Sequence, residues 1–145
     1  MRQNLRTSIV IDAQPEQVWE VLTNFNTLKD WSSSFIGLKG DFKKDGQIEV
    51  VFKSPFGGSM NLKKQLIVFD PGRSFGWTGV FMLGMKDYHT YKIKPAANGK
   101  TELIQEDGLN GGASFLLGSI LEKTMKKDYE KFNLELKTYI ESNNS

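Results

Sequence analysis

His89 is the only histidine in the chain and the one side chain whose ordinary pKa lies near neutrality, which makes it the natural candidate for a general acid or base. Gln105 and Asp107 stand two residues apart in a strand-like stretch and so point to the same face. His89 and Asp107 together have the types needed to polarise a carbonyl group or move a proton. No nucleophile, base and orienter set accompanies them, so the better reading of His89 is a satisfied polar group bonded to Gln105 or Tyr91. Asp128, at the edge of an apolar helical stripe, reads as a partly solvated acid. One histidine and no cysteine leave no zinc ligand set, and neither metal nor cofactor is expected. Gly57-Gly58 lacks a following helix and Gly111-Gly112 lacks a Lys-Ser/Thr ending, so neither is a phosphate loop.

The elements that must position these groups follow a definite order. Thr7 to Asp12 is strand-like, and Pro15-Glu16 opens a helix: proline suits the first helical position and glutamate its positive end. Val18, Trp19, Val21, Leu22 and Phe25 recur at helical spacing, and a second short helix fits Thr27 to Trp31. Six strands are then expected: Phe35 to Gly40, Gln47 to Ser54, Met60 to Phe69, Arg73 to Val80, Asp87 to Lys94 and Lys100 to Leu109. The turns between them, among them Asp70-Pro71-Gly72 and Asn98-Gly99, are too short for crossover helices, so the strands should pair as an antiparallel meander. Ser114 to Glu141 closes the sequence as an amphipathic helix whose stripe runs through Leu117, Leu121, Met125, Tyr129, Phe132, Leu136, Tyr139 and Ile140. At roughly 40 Å it can cross a small domain and must lay that stripe on the sheet.

Strand alternation selects the residues facing the helix: Phe75, Trp77 and Gly79 from one strand, and Asp87, His89, Tyr91 and Ile93 from the next. With Asn98-Gly99 as the pivot, Tyr91 should lie opposite Leu103 and His89 opposite Gln105. Ile48, Val50, Phe52, Met60, Leu62 and Leu66 extend an apolar lining, to which Leu117, Leu121, Met125 and Phe132 of the helix belong. A mostly apolar interior holding His89, Gln105 and Asp107 suits a small-molecule cavity. Alternate turns of the meander gather at one end, where Phe56, Phe81, Met82, Met85 and Phe115 read as a mouth, a lid or a membrane-contacting rim.

Composition sets the outer bounds. A chain of 145 residues is expected to form a single domain, residues 1–145, with enough buried surface to fold without staples. The net charge of +2 is spread along the sequence and gives no case for nucleic acid; the basic run Lys123 to Lys131, broken by Asp128 and Glu130, reads as a solvated helix face. No apolar run is long enough to span a membrane and no secretory h-region follows Met1, so a cytoplasmic location is expected.

The stretch Ile9-Val10-Ile11-Asp12-Ala13-Gln14-Pro15-Glu16-Gln17-Val18-Trp19-Glu20-Val21-Leu22, followed by Phe25 and Trp31, resembles the opening of the SRPBCC superfamily, the START and pollen-allergen-like helix-grip proteins. Phe75-Gly76-Trp77-Thr78-Gly79, His89-Thr90-Tyr91, Asp107-Gly108-Leu109-Asn110-Gly111 and the tail Asn133-Leu134-Glu135-Leu136-Lys137 are similar to its bacterial polyketide cyclase/dehydrase-like branch. The sequence departs from that pattern at Ser33, where proline is usual, and at Asp107, where glutamate is commoner. The resemblance implies an α+β helix-grip fold of order β-α-α-β6-α, with a curved seven-stranded antiparallel sheet around the final helix.

Two function classes follow from that scaffold, since fold analogy does not choose between them. One is a carrier or sensor that binds a hydrophobic small molecule or lipid between sheet and helix, with His89, Gln105 or Asp107 orienting its polar end. The alternative is a cyclase/dehydratase-like enzyme using His89 and Asp107 as acid and base. A third reading, a protein-interaction module, calls for a filled core and exposed apolar loops. Oligomeric state and ligand identity are open at this stage.

Overall fold

The computed structural model describes residues 3–54, 56–80, 84–111 and 114–143, with the side chains of 3–4, 114–119 and 121 outside the description. Strand β1 (Gln3–Ile11) leads into helix α1 (Pro15–Thr23) and a single 3-10 turn (Leu28–Asp30). Strands β2 (Phe35–Gly40), β3 (Gln47–Lys53), β4 (Ser59–Asp70), β5 (Ser74–Val80), β6 (Lys86–Pro95) and β7 (Thr101–Asn110) follow, and α2 (Ser114–Asn143) ends the chain. The sheet has seven strands in the order β1-β7-β6-β5-β4-β3-β2, every neighbour antiparallel. This is the helix-grip arrangement: a meander whose first strand closes against the last.

Local chemistry explains the framing. Gln14 stays extended before Pro15, whose fixed φ suits the first turn, and Glu16 lies at the positive end of α1. Val18 and Leu22, four apart, are both fully buried, while Trp19 meets Phe69 and Phe75 edge-on at about 6 Å. The short helix expected over Thr27 to Trp31 is the 3-10 turn. It seats Leu28 in the core and lets Trp31 pack on Phe132 and Tyr139 of α2.

α2 packs mainly along β1 and β7 and runs in the same direction as β1. Its C-terminal half is tied down by polar contacts spaced along that strand. Asn133 Nδ2 donates to Thr7 Oγ1 (3.0 Å), Lys137 Nζ to the Val10 carbonyl (2.9 Å), and the Asp12 amide to Glu141 Oε2 (2.9 Å). Phe132, Leu136 and Ile140 fill the core beneath it.

Two expectations need correction here. The β6–β7 register is two residues from the one anticipated: Pro95 pairs with Thr101, so Tyr91 lies opposite Gln105 and His89 opposite Asp107. The cause is the turn. Asn98 (φ 61) and Gly99 (φ 73) take left-handed conformations inside a 3-10 turn, which lengthens the loop that Asn98-Gly99 alone would make. A two-residue slip keeps every side chain on its face but changes its neighbour. Met60 and Leu62, paired with Phe52 and Val50 on the concave face, are 44% and 39% exposed, because α2 lies towards β1 and β7 and leaves this arm of the sheet uncovered.

Candidate functional site

A row of aromatic rings crosses the concave face and sets the site. Phe75, Trp77 and Tyr91 are buried, with Phe75 stacked on Tyr91 (4.8 Å) and His89 stacked on Tyr91 (4.6 Å, 13°). Phe35 from β2 and Phe132 from α2 close over them. Between this floor and α2 lies a cavity of about 180 Å3, lined by Ser34, Phe35, Phe52, His89, Tyr91, Gln105, Met125, Asp128, Tyr129 and Phe132. Larger hollows exist on the outside, beside Arg6, Thr90 and Lys92 on the convex face, beside Trp31 and Leu134 on α2, and beside Lys39, Gln47 and Lys63 on the β2–β4 arm, but all three are open to solvent, and none is lined by His89 or Gln105.

The residues singled out from the sequence separate into groups. Phe52, His89, Tyr91, Gln105, Met125 and Phe132 line the cavity; Phe75, Trp77 and Leu103 are buried in the core beneath it. Leu62 sits at the uncovered end of the groove and lines nothing enclosed. At the mouth, Phe56 is 96% exposed between Ser54 and Gly57, whereas Met85 is fully buried instead of standing at a loop tip. Leu117, Leu121 and Phe115 belong to α2, but their side chains lie outside the described residues, as Phe81 and Met82 do entirely. Ser34, Phe35 and Tyr129 complete the lining, and Asp128 is an exposed acid at its edge.

The polar groups form one connected chain, joined by hydrogen bonds except at the contact between His89 and Asp107. Gln105 Nε2 donates to the Tyr129 carbonyl (3.3 Å) and to Asn133 Oδ1 (2.7 Å). A carbonyl oxygen only accepts, so the Gln105 amide must present Oε1 to the other side, where it meets His89 Nε2 at 2.7 Å. His89 therefore carries its proton on Nε2 when neutral. Its Nδ1 faces Asp107 Oδ2 at 3.4 Å, and Asp107 Oδ2 also accepts from the Tyr129 hydroxyl. Asp107 Oδ1 is buried with no hydrogen-bond partner among the described residues.

Burial dominates the electrostatics. Desolvation pushes His89 down to about 4 and raises Asp107 to about 7, with the Tyr129 hydrogen bond opposing the latter. Both hydroxyls, Tyr91 and Tyr129, are held well above the ordinary tyrosine value by burial and by the nearby Asp107. The pair thus rests as neutral imidazole and, near neutrality, a carboxyl that shares its proton. The contact between His89 and Asp107 is geometrically an ion pair, but two charges with almost no solvent around them lose more than they gain.

A second buried pair escapes the sequence reading. Lys64 Nζ lies 3.0 Å from each Asp87 oxygen and 3.3 Å from the Val80 carbonyl. Gly79 between them makes this reach available: a Cβ there would stand 2.4 Å from Lys64 Cδ. The alternation that puts Leu62 and Leu66 inward puts Lys64 inward too, opposite the inward positions Gly79 and Asp87. That juxtaposition was the available signal. Desolvation still raises the Asp87 carboxyl despite Lys64.

The model of the family described as polyketide cyclase/dehydrase and lipid transport matches residues 2–141. The chain belongs to that family. Its fold is shared by TTHA0849 from Thermus thermophilus (TM-score 0.71, 15% identity, 98% of this chain and 99% of that one). A START superfamily protein from Mycobacterium smegmatis shares it to a similar degree (TM-score 0.73, 14% identity, 97% and 98% covered). The di-domain ARO/CYC StfQ of the steffimycin biosynthetic pathway superposes with TM-score 0.75 at 10% identity, over 99% of this chain and 52% of StfQ. At such identities the likeness is one of fold. No curated protein matches the sequence.

Proposed function

We propose that this family member binds a small hydrophobic molecule in the cavity between the sheet and α2, and does so without transforming it. The observation that carries the reading is the engagement of the polar groups. Both ring nitrogens of His89 have protein partners, and Asp107 is turned to His89 and Tyr129 and does not line the cavity. An acid or base must reach the atom it serves: Asp107 is outside the lining, and His89, though in it, has both nitrogens turned to protein partners. The cavity wall is predominantly aromatic, so affinity comes from apolar burial at about 25 cal/mol per Å2. Tyr91 lines the cavity, and its hydroxyl, kept protonated by burial well above the ordinary tyrosine value, is the donor we assign to one acceptor on the ligand.

Size narrows the ligand. A dry cavity of about 150 Å3 accepts benzene, so about 180 Å3 suits one or two rings or a short branched chain. The test is a titration with 2-naphthol followed by NMR. Shifts confined to Phe52, Tyr91, Met125 and Phe132, abolished by the filling substitution Met125→Trp, support the reading; shifts on the outer surface of α2 or none at all overturn it. Turnover of any polyketide-like substrate that is lost in His89→Gln would favour the cyclase alternative instead.

A further inference from the structure

The hydrogen-bond chain beneath the cavity does more than satisfy its members: it decides where one proton sits. The Tyr129 carbonyl and Asn133 Oδ1 together take both hydrogens of the Gln105 amide, and Thr7 Oγ1 in turn takes one from Asn133 Nδ2. Gln105 therefore has a single orientation, with its oxygen on His89 Nε2. A neutral His89 held this way presents a lone pair, not a proton, to Asp107 Oδ2. A carboxylate facing that lone pair is repelled, whereas a carboxylic acid donates to it. The acid form also leaves Oδ1 a carbonyl oxygen, the cheaper group to bury unpaired.

We propose that Asn133 and Gln105 are positioning residues that hold the His89 proton on Nε2 and keep Asp107 a carboxylic acid at mildly acidic to neutral pH, so that His89 stays an uncharged ring and the cavity, with no cation among its described lining residues to receive a carboxylate, prefers uncharged ligands. This rests on the binding reading above and deepens it. The groups facing Asp107 pull both ways: burial and Asp87 favour the acid and prevail, while the Tyr129 hydroxyl, the Gly108 amide and Lys64 favour the carboxylate. His89 is neutral beside it; Lys64 of β4 is already neutralised by Asp87 of β6; Tyr129 of α2 donates a hydrogen bond; and Glu122 of α2 lines the same small void as Asp107, Leu5 and Met125. Arg6 flanks Asp107 on the outer hollow and does not line the cavity. No uncommitted cation among the described residues lines the cavity to receive an anion. Burial raises Asp107 to about 7 and lowers His89 to about 4.

The test has two independent arms on the full chain at pH 6. Infrared spectroscopy should show a protonated-carboxyl stretch that vanishes in Asp107→Asn, and 15N NMR should place the His89 proton on Nε2. Asn133→Ala should mix the two tautomers and weaken the stretch. Gln105→Leu, which removes the Nε2 partner outright, should do the same if Asn133→Ala folds poorly. In the second arm, 2-naphthol should bind on the order of tenfold or more tighter than 2-naphthoate, because an unpaired anion brought into this site loses its hydration without gaining a partner. Absence of the carboxyl stretch in the wild type, a proton on Nδ1, or tautomers indifferent to both substitutions overturns the proton assignment. Equal binding of the two probes overturns the ligand preference. Binding of neither probe, with stretch and tautomer in place, refutes the binding reading and the preference that rests on it.

Discussion

The pair His89 and Asp107 should leave opposite marks on stability as pH changes, and each mark can be exposed by removing the other residue. His89 is lowered on folding from 6.5 to about 4, so between those values the unfolded chain binds the extra proton and stability rises with pH. Asp107 is raised from 3.8 to about 7, so over that window the folded chain binds the extra proton and stability falls as pH rises. At about 1.36 kcal/mol per pKa unit, the effect is worth about 3 kcal/mol for His89 and about 4 kcal/mol for Asp107 across their windows, and in the wild type they largely cancel between about pH 4 and 6.5. Urea unfolding at intervals from pH 4 to 8 measures the balance. The difference between wild type and His89→Gln isolates the histidine and should grow with pH by about 2–3 kcal/mol up to 6.5, then level. The difference between wild type and Asp107→Asn should shrink by a similar amount up to about pH 7. Because the two groups touch, the midpoints belong to the pair and not to either residue alone. Two flat differences would mean that both groups titrate as they do in water, and would refute the burial argument on which the site rests.

Other substitutions test separate parts of the structure. Lys64→Met should destabilise by about 3–5 kcal/mol in denaturant unfolding, since it strands Asp87 without its partner, and adding Asp87→Leu should recover most of the loss. Phe132→Ala, which empties the point where Phe35, Tyr91 and Trp31 meet α2, should cost about 3–5 kcal/mol by the same measurement. Phe56→Ser, at a side chain almost wholly in water, should change stability by no more than about 0.5 kcal/mol; a larger loss would mean that the rim packs against the body.

Much of this fold is legible in the sequence because its strands alternate cleanly and its turns are chemically marked. β2 coincides with Phe35 to Gly40, and Asp70-Pro71-Gly72 ends β4 where proline and a left-handed glycine (φ 82) must. The register between β6 and β7 is not legible, because Asn98-Gly99 fits both a tight two-residue hairpin and the longer 3-10 turn that the chain adopts. His89, Gln105 and Asp107 are recognisable as inward polar groups from alternation alone. Asn133 and Thr7 are not: each is an ordinary polar residue in its own element, and their role exists only once α2 is laid along β1. Exposure at Met60 and Leu62 escapes for the related reason that alternation tells which face a residue takes but not how far the covering helix reaches.

Whether the cavity holds a small molecule decides the central claim. Native mass spectrometry of the purified protein, followed by denaturation and organic extraction, measures this directly. A stoichiometric hydrophobic compound of one or two rings or a short chain, without a carboxylate and released on denaturation, is the predicted result. A protein that is clean by that measurement and also takes up no 2-naphthol would contradict it, and would leave the enclosed space as a packing defect in a filled core.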